Sequence, residues 1–182
     1  CLGSLPEDFK DRQQDMLKDK VRMEVRRYLG ADGAGIRRTT NAAAYAERIG
    51  KDEGGDLGVI LMGALLASLA RIEAERRHGG MDREFLQIQG PAMARDILEK
   101  LGAKSEIIDE VCDIVSRLHQ PGEQESLNFR VVSDAIALAE LKPRQSEVPD
   151  PAYAEKIDQL FLTARGRGLV REQLLASCET SA

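Results

Sequence analysis

A few side chains in this sequence have the chemistry for catalysis or for recognising a ligand. His119 lies at the end of a predicted helix, just before Pro121, and a histidine titrates close enough to neutral pH to act as a general base or a nucleophile. Arg38 and Arg117 carry permanent positive charges, which suit an anionic ligand or an oxyanion that develops during a reaction. These three residues also have structural interpretations. His119 would be a surface histidine that complements the C-terminus of a helix, and Arg38 and Arg117 would form ion pairs with acidic neighbours.

The other polar candidates favour structural roles. Ser68 has no base close to it in sequence, so it is a weak candidate for a nucleophile. His78 precedes two glycines, a pattern typical of the C-terminal end of a helix, and Cys112 lies on an apolar helix face as a packed thiol would. Glu73 and Glu75 lie within helical reach of Ser68 and suit a supporting or general-base role, although solvated charges on a helix surface are the simpler interpretation.

Composition excludes several classes of protein. The 182 residues are 42% hydrophobic and 31% charged, which is typical of a single globular domain. A net charge of −5 and an aromatic content of 4% disfavour a nucleic-acid partner, which needs a basic surface and rings on which bases stack. The cysteines Cys1, Cys112 and Cys178 form neither a disulfide framework nor a metal-ligand pattern, so a reducing cytoplasm is the expected location. We favour a trimmed chain end over lipid modification at Cys1.

The elements that position these residues are all expected to be helices, since no stretch alternates convincingly with the period of two that strands require. Residues 59–70 are apolar on every side, but this run is shorter than the roughly 20 residues that cross a bilayer. It therefore predicts a helix at the centre of the core and no membrane partner. The predicted helices cover residues 5–29, 42–49, 57–77, 82–89, 91–101, 106–118, 127–141, 150–162 and 169–176.

One domain, residues 1–182, is expected to contain all of these helices. Its core is predicted over about residues 27–141, and a helical extension at 150–177 is too short to form a core of its own. Polar stretches with proline or glycine predict loops at 51–55 and 142–149 and a helix break at 165–168. The predicted N-cap residues are Ser4, Asp56 and Ser105.

Short motifs along these helices follow one another in a specific order. They include Ala64-Leu65-Leu66 in the apolar helix, the helix start Gly90-Pro91-Ala92-Met93 and the helix end His119-Gln120-Pro121-Gly122. Further motifs in this order are residues 32–39 and 72–77, Asn128-Phe129 and Asp134-Ala135. Over roughly residues 27–141 the chain therefore resembles the HD superfamily of metal-dependent phosphohydrolases. The resemblance implies an all-α, single-domain orthogonal helical bundle.

The positions that ligate metal in this family hold other residue types here. By the resemblance, Arg38 stands in place of the first ligand histidine, Ala67 and Ser68 in place of the His-Asp doublet, and Ile136 in place of the last ligand aspartate. Ala and Ile have no donor atom for a divalent ion, and the fixed charge of Arg repels one. No metal and no cofactor are therefore expected. Other family positions that differ are Ala70, Gln89, Arg117 and Leu118.

Replacing large ligating residues with small ones leaves space, so a concave and mostly apolar pocket is expected at this site. Its expected occupant is a small organic molecule, uncharged or weakly anionic. In a catalytic pocket His119 would be the nucleophile or base, and Arg38 would stabilise an oxyanion. The residues expected to line the pocket are Arg38, Ala67, Ser68, Ala70, Gln89, Arg117, Leu118 and Ile136.

A site without metal ligands could have arisen in more than one way and could serve more than one function. Small residues cluster at the former metal site while the peripheral motifs persist, which favours a deliberately engineered pocket over natural loss. The first alternative is a natural, non-catalytic interaction or regulatory domain. The second is a divergent metal-dependent phosphohydrolase, which is hard to sustain with only two histidines in the chain.

Overall fold

The structure is a computed structural model that describes residues 7–141 and 151–179. Those residues contain no strand, which confirms the predicted all-α class. Ser4, the predicted loop 142–149 and Cys1 lie outside the described residues. The helices of the described part are α1 (Glu7–Leu29), α2 (Gly33–Glu53), α3 (Leu57–His78), α4 (Gly90–Lys100), α5 (Ser105–Arg117), α6 (Leu127–Glu140), α7 (Pro151–Leu160) and α8 (Ala164–Glu179).

Helix α3 is the central element, as its all-round apolarity predicts. Asp56 begins the helix, because its carboxylate accepts hydrogen bonds from the amides of Gly58 at 2.9 Å and Val59 at 3.2 Å. Helices α1, α2, α4, α5 and α6 pack around it, and every residue from 58 to 70 is buried. By length and composition α3 could cross a membrane, but 89% of its apolar stretch is buried inside the protein, as in the core helix of a soluble domain.

Helix α2 is longer at both ends than its apolar pattern predicts. The carboxylate of Asp32 accepts a 2.9 Å hydrogen bond from the amide of Gly35, so the helix begins nine residues before the predicted start at Ala42. Polar and glycine residues hide this first part from a periodicity analysis. At the other end α2 continues to Glu53, so most of the loop predicted at 51–55 is helical.

Two helix boundaries near α4 and α5 also differ from the predictions. A π-helical turn at Phe85–Gln89 runs directly into α4, so there is no interruption before Pro91. The residue at the N-cap position of α5 is Lys104, with no side-chain hydrogen bond, and Ser105 is already helical. The prediction of Ser105 as the cap is therefore wrong: its hydroxyl donates to Glu106 Oε2 at 3.4 Å instead.

The helix break predicted at 165–168 is wrong, because these residues form the first turns of α8. The fully buried carboxylate of Asp134 on α6 accepts hydrogen bonds from the amides of Leu162 and Thr163, both at 2.8 Å, and from the hydroxyl of Thr163 at 2.6 Å. The same hydroxyl accepts from the amide of Gly166 at 2.9 Å. The start of α8 is thus stabilised by a contact with α6, which the local sequence around residue 164 does not reveal.

Candidate functional site

Four charged side chains meet where α2, α3 and α6 come together; we call Arg38, Arg71, Glu75 and Glu140 the ion-pair cluster. Arg38 on α2 donates to Glu75 Oε2 and to Glu140 Oε1, each at 2.7 Å. Arg71 on α3 holds both carboxylate oxygens of Glu140, at 2.7 and 2.8 Å. Two cations therefore neutralise two carboxylates through charge-assisted hydrogen bonds, the strong class of such bonds in proteins.

Burial and ion pairing shift the pKa values of the cluster residues in opposite directions. Burial by itself raises the pKa of Glu140, but the hydrogen bonds and charges of Arg71 and Arg38 outweigh it, so the pKa is lowered. Burial by itself lowers the pKa of Arg38, and Glu75 and Glu140 outweigh it, so the pKa is raised. Both groups are charged at neutral pH.

The residues before the cluster on α3 and α6 offer one hydroxyl oxygen, that of Ser68, and otherwise no atom that could ligate a metal. Ala67, Ser68 and Ala70 on α3 and Ile136 on α6 are buried, with 1–5% of their surface exposed. A Cβ placed on Gly90 would lie 3.2 Å from the Cβ of Ala70, so α4 approaches α3 closely at this point. Within the described ranges no three His, Cys, Asp or Glu side chains converge. These residues do not fit a divalent metal ion.

His119 lies just after α5, and its Nε2 atom is buried without a hydrogen-bond partner. Burial lowers the pKa of His119, and the positive charges of Arg83 and Arg71 lower it further. The imidazole is therefore neutral at pH 7 and lies within the electrostatic reach of the cluster. A neutral imidazole with a vacant lone pair or N–H can serve as a base or as a hydrogen-bonding group toward a ligand.

Other predicted site residues lie apart from the cluster. Arg117 pairs with Asp113 at 2.5 Å and with Glu125 at 2.8 Å, and in the described part of the chain no hydrogen bond joins it to Arg38. Gln89 is exposed, and Leu118 is partly buried against the core. The ion-pair interpretation of Arg38 and Arg117 is thus confirmed, while the predicted pocket stays a prediction.

The packed thiol of Cys112 and the position of His78 at the C-terminal end of α3 are also confirmed, although the C-cap residue itself is Gly79. Cys112 is buried, and its thiol lies 3.4 Å from the carbonyl oxygen of Pro91. His78 is the last residue of α3, and its ring lies 5.4 Å from that of Phe85. Glu73 is buried and pairs with Arg77 at 2.7 Å, so its interpretation as a solvated surface charge is wrong.

Sequence reasoning missed Arg71 and Glu140, which complete the cluster. A signal was present: Arg71 follows Ser68 by three residues and Glu140 follows Ile136 by four. In a helix both spacings place the second residue one turn further along the same face. The charged side chains of the cluster could therefore have been found one turn beyond the positions that the resemblance singled out.

The architecture resembles one solved structure, described as a predicted HD superfamily hydrolase from an uncultured Thermotogales bacterium. The two share 22% identity with a TM-score of 0.63, over 92% of this chain and 88% of that chain. No protein-family model matches the sequence, and no curated protein does. The likeness shows that this chain has an HD-like all-α fold, and it extends beyond residues 27–141. Fold and site together define an HD-like domain whose described residues contain no metal-binding group.

Proposed function

We propose that this protein is a non-catalytic HD-like domain, in which the ion-pair cluster takes the place of a metal centre and which acts as an interaction or regulatory module. One observation carries the proposal. Arg38, which stands in place of the family's first ligand histidine, is bonded to both Glu75 and Glu140. The polar groups at this position bind one another and leave no open coordination position for a reacting group.

The energetics of the cluster support this proposal. Both oxygens of the Glu140 carboxylate accept hydrogen bonds from guanidinium groups, so recruiting it as a base or ligand would leave Arg71 and Arg38 without their partner. Removing one partner from a partly buried ion pair leaves the other charge uncompensated and costs on the order of 1–3 kcal/mol. A site that must exchange ligands rapidly needs polar groups that are not already held in strong ion pairs with one another.

A second candidate function is binding or metal-free conversion of a small organic molecule, uncharged or weakly anionic. The buried Nε2 of His119, which lacks a partner, favours this candidate, and the charges of Arg71 and Arg83 would suit a weakly anionic group beside it. If the small residues were engineered, this second candidate is the expected function. If the site was lost naturally, the first candidate is expected. The cytoplasm stays the expected location, since buried Cys112 is a free thiol.

Hydrolysis assays test the non-catalytic proposal against the catalytic form of the second candidate. Wild-type protein, His119→Ala and His78→Ala are incubated with bis-p-nitrophenyl phosphate and with p-nitrophenyl acetate, with and without Mn²⁺. We expect no turnover above buffer in any sample. His78 is exposed at the end of α3 and provides the matched control. Turnover that His119→Ala abolishes and His78→Ala retains would overturn the non-catalytic proposal and support the second candidate.

Restoring ligands tests the interpretation of the metal positions. We expect Arg38→His, Ala67→His, Ser68→Asp and Ile136→Asp to bind Mn²⁺ only when combined, because a single substitution supplies too few donors. Calorimetric titration of each single variant and of the combined variant measures this. Tight binding of Mn²⁺ by the wild-type protein would contradict the assignment.

A further inference from the structure

A cleft of about 500 Å³ lies between α1 and the connection from α4 to α5, at residues other than those of the ion-pair cluster. Its size lies within the ~300–1,000 Å³ typical of small-molecule sites. Its apolar lining comes from Met16 and Leu17 on α1, Leu101 and Ala103 in the connection, and Ile107 on α5.

The charged lining of the cleft is of one sign. Arg12, Lys20 and Lys104 line it, and no Asp or Glu is among the lining residues that the structure describes. This contrasts with the chain as a whole, whose net charge is −5. Lys20 and Lys104 are exposed, and neither forms an ion pair with a carboxylate whose side chain the structure describes. Among the described side chains, these two cations therefore border an apolar surface without a carboxylate partner.

The start of α5 also faces the cleft with its positive dipole end, and the acidic residue of its first turn, Glu106, is not among the described lining residues. Lys104 is at its N-cap position and provides no side-chain hydrogen bond to the first-turn amides. The first-turn residue Ile107 lines the same cleft, so these amides lie beside it. Free amides and the helix dipole both favour a negative group at this end.

Met16 leaves 59% of its surface exposed at the cleft. Covering apolar surface is favourable by roughly 25 cal/mol per Å², and a methionine side chain adapts its shape to what covers it. We propose that this cleft binds an amphipathic organic anion, a carboxylate on an unbranched alkyl chain of medium length. The alkyl chain lies against Met16, Leu17 and Ile107, and the carboxylate pairs with Lys20 and Lys104.

Calorimetric titration with three probes of equal chain length tests the charge requirement. Decanoate is expected to bind with one-to-one stoichiometry. Decanol and decylammonium should bind about tenfold more weakly or worse, because they lack the charge-assisted bonds to the lysines. Equal binding of decanol and decanoate would overturn the proposal, as would the absence of decanoate binding.

A charge-reversal variant tests the residues. Lys20→Glu combined with Lys104→Glu should weaken decanoate binding about tenfold or more. Lys156→Glu, an exposed lysine on α7 outside the cleft lining, is the matched control and should bind within about twofold of wild type. Circular dichroism checks that each variant is folded. Unchanged binding by the folded double variant would overturn the proposal.

The methionine methyl groups report where the probe binds. With ¹³C-labelled methyl groups, decanoate should shift the Met16 signal and leave Met23 unchanged, although Met23 is 71% exposed on the same helix. Equal shifts at both would indicate unspecific adsorption and would contradict the proposal. The result is independent of the hydrolysis assays, because no residue of the ion-pair cluster lines the cleft.

Discussion

At the scale of single residues, Glu140 joins the two arginines of the ion-pair cluster, because it accepts hydrogen bonds from both. Glu140→Gln removes the charge and keeps the volume. We expect it to lower the free energy of unfolding at pH 7 by about 1–3 kcal/mol, since Arg71 loses its charged partner in a partly buried position. Urea unfolding followed by circular dichroism measures the difference.

The pH dependence of that difference has a definite sign. The pKa of Glu140 is lowered in the folded protein from its ordinary value of 4.5, with burial opposing and the two arginines outweighing it. Its stabilisation is therefore present above that ordinary value and is lost as the pH falls through the lowered pKa. The gap between wild type and Glu140→Gln should shrink below pH 4.5. A gap that stays constant down to full protonation would contradict this assignment.

The exposed pair of Glu47 and Lys51, at 2.7 Å on α2, provides the control for Glu140. Glu47→Gln should change the free energy of unfolding by about 0.5 kcal/mol or less, because solvent screens an exposed pair within one helix. A larger effect for Glu47→Gln than for Glu140→Gln would show that burial does not decide the strength of these pairs.

At the scale of elements, Gly166 allows α8 to begin against α6. A Cβ at Gly166 would clash with the carboxylate of Asp134 and would lie 2.9 Å from Thr163 Oγ1. We expect Gly166→Ala to lower the free energy of unfolding by about 1–3 kcal/mol, as overpacking of a buried contact does. Thermal and urea unfolding of the variant measure the loss.

Gly168 is the matched control on the same helix. A Cβ there would meet only Arg165 Nη1, at 3.9 Å, which is an ordinary contact. Gly168→Ala should therefore be neutral or stabilise by up to about 1 kcal/mol, because alanine favours the helix more than glycine does. If both substitutions stabilise equally, the contact with Asp134 does not constrain α8.

At the scale of the whole molecule, α8 contacts α2 and α6. Leu169 and Val170 of α8, and Phe161 in the connection before it, belong to the same hydrophobic core. The C-terminal segment should therefore unfold together with α3 as one cooperative unit. Asp134→Ala leaves the amides of Leu162 and Thr163 without an acceptor, and we expect it to cost about 2 kcal/mol or more.

Native-state hydrogen exchange distinguishes one unit from two. In a single unit Asp134→Ala lowers the protection of Val170 on α8 and of Leu66 on α3 by the same amount. A loss confined to Val170, with Leu66 unchanged, would show that the C-terminal segment unfolds separately. The single-domain prediction for residues 1–182 would then be wrong for the described part of the extension.

Local patterns in the sequence determined the all-helical class, the central position of α3, the packed thiol of Cys112 and the likeness to an HD-like fold. These properties follow from which residue types recur within a few positions, and a helix that is apolar on every side is buried whatever surrounds it. The lack of a metal-ligating atom in the side chains of Ala67 and Ile136 was equally readable, because a missing donor atom does not depend on the fold.

Tertiary structure alone decided the partners of the charged residues and several helix ends. Arg38 meets Glu75 and Glu140, which are 37 and 102 positions away, and Asp134 meets Thr163 at a distance of 29 positions. Side-chain spacing within one helix carries no information about contacts between helices. Which side chains meet at a site depends on how the helices pack against one another. That packing is set by all the core residues together and not by any short stretch of sequence.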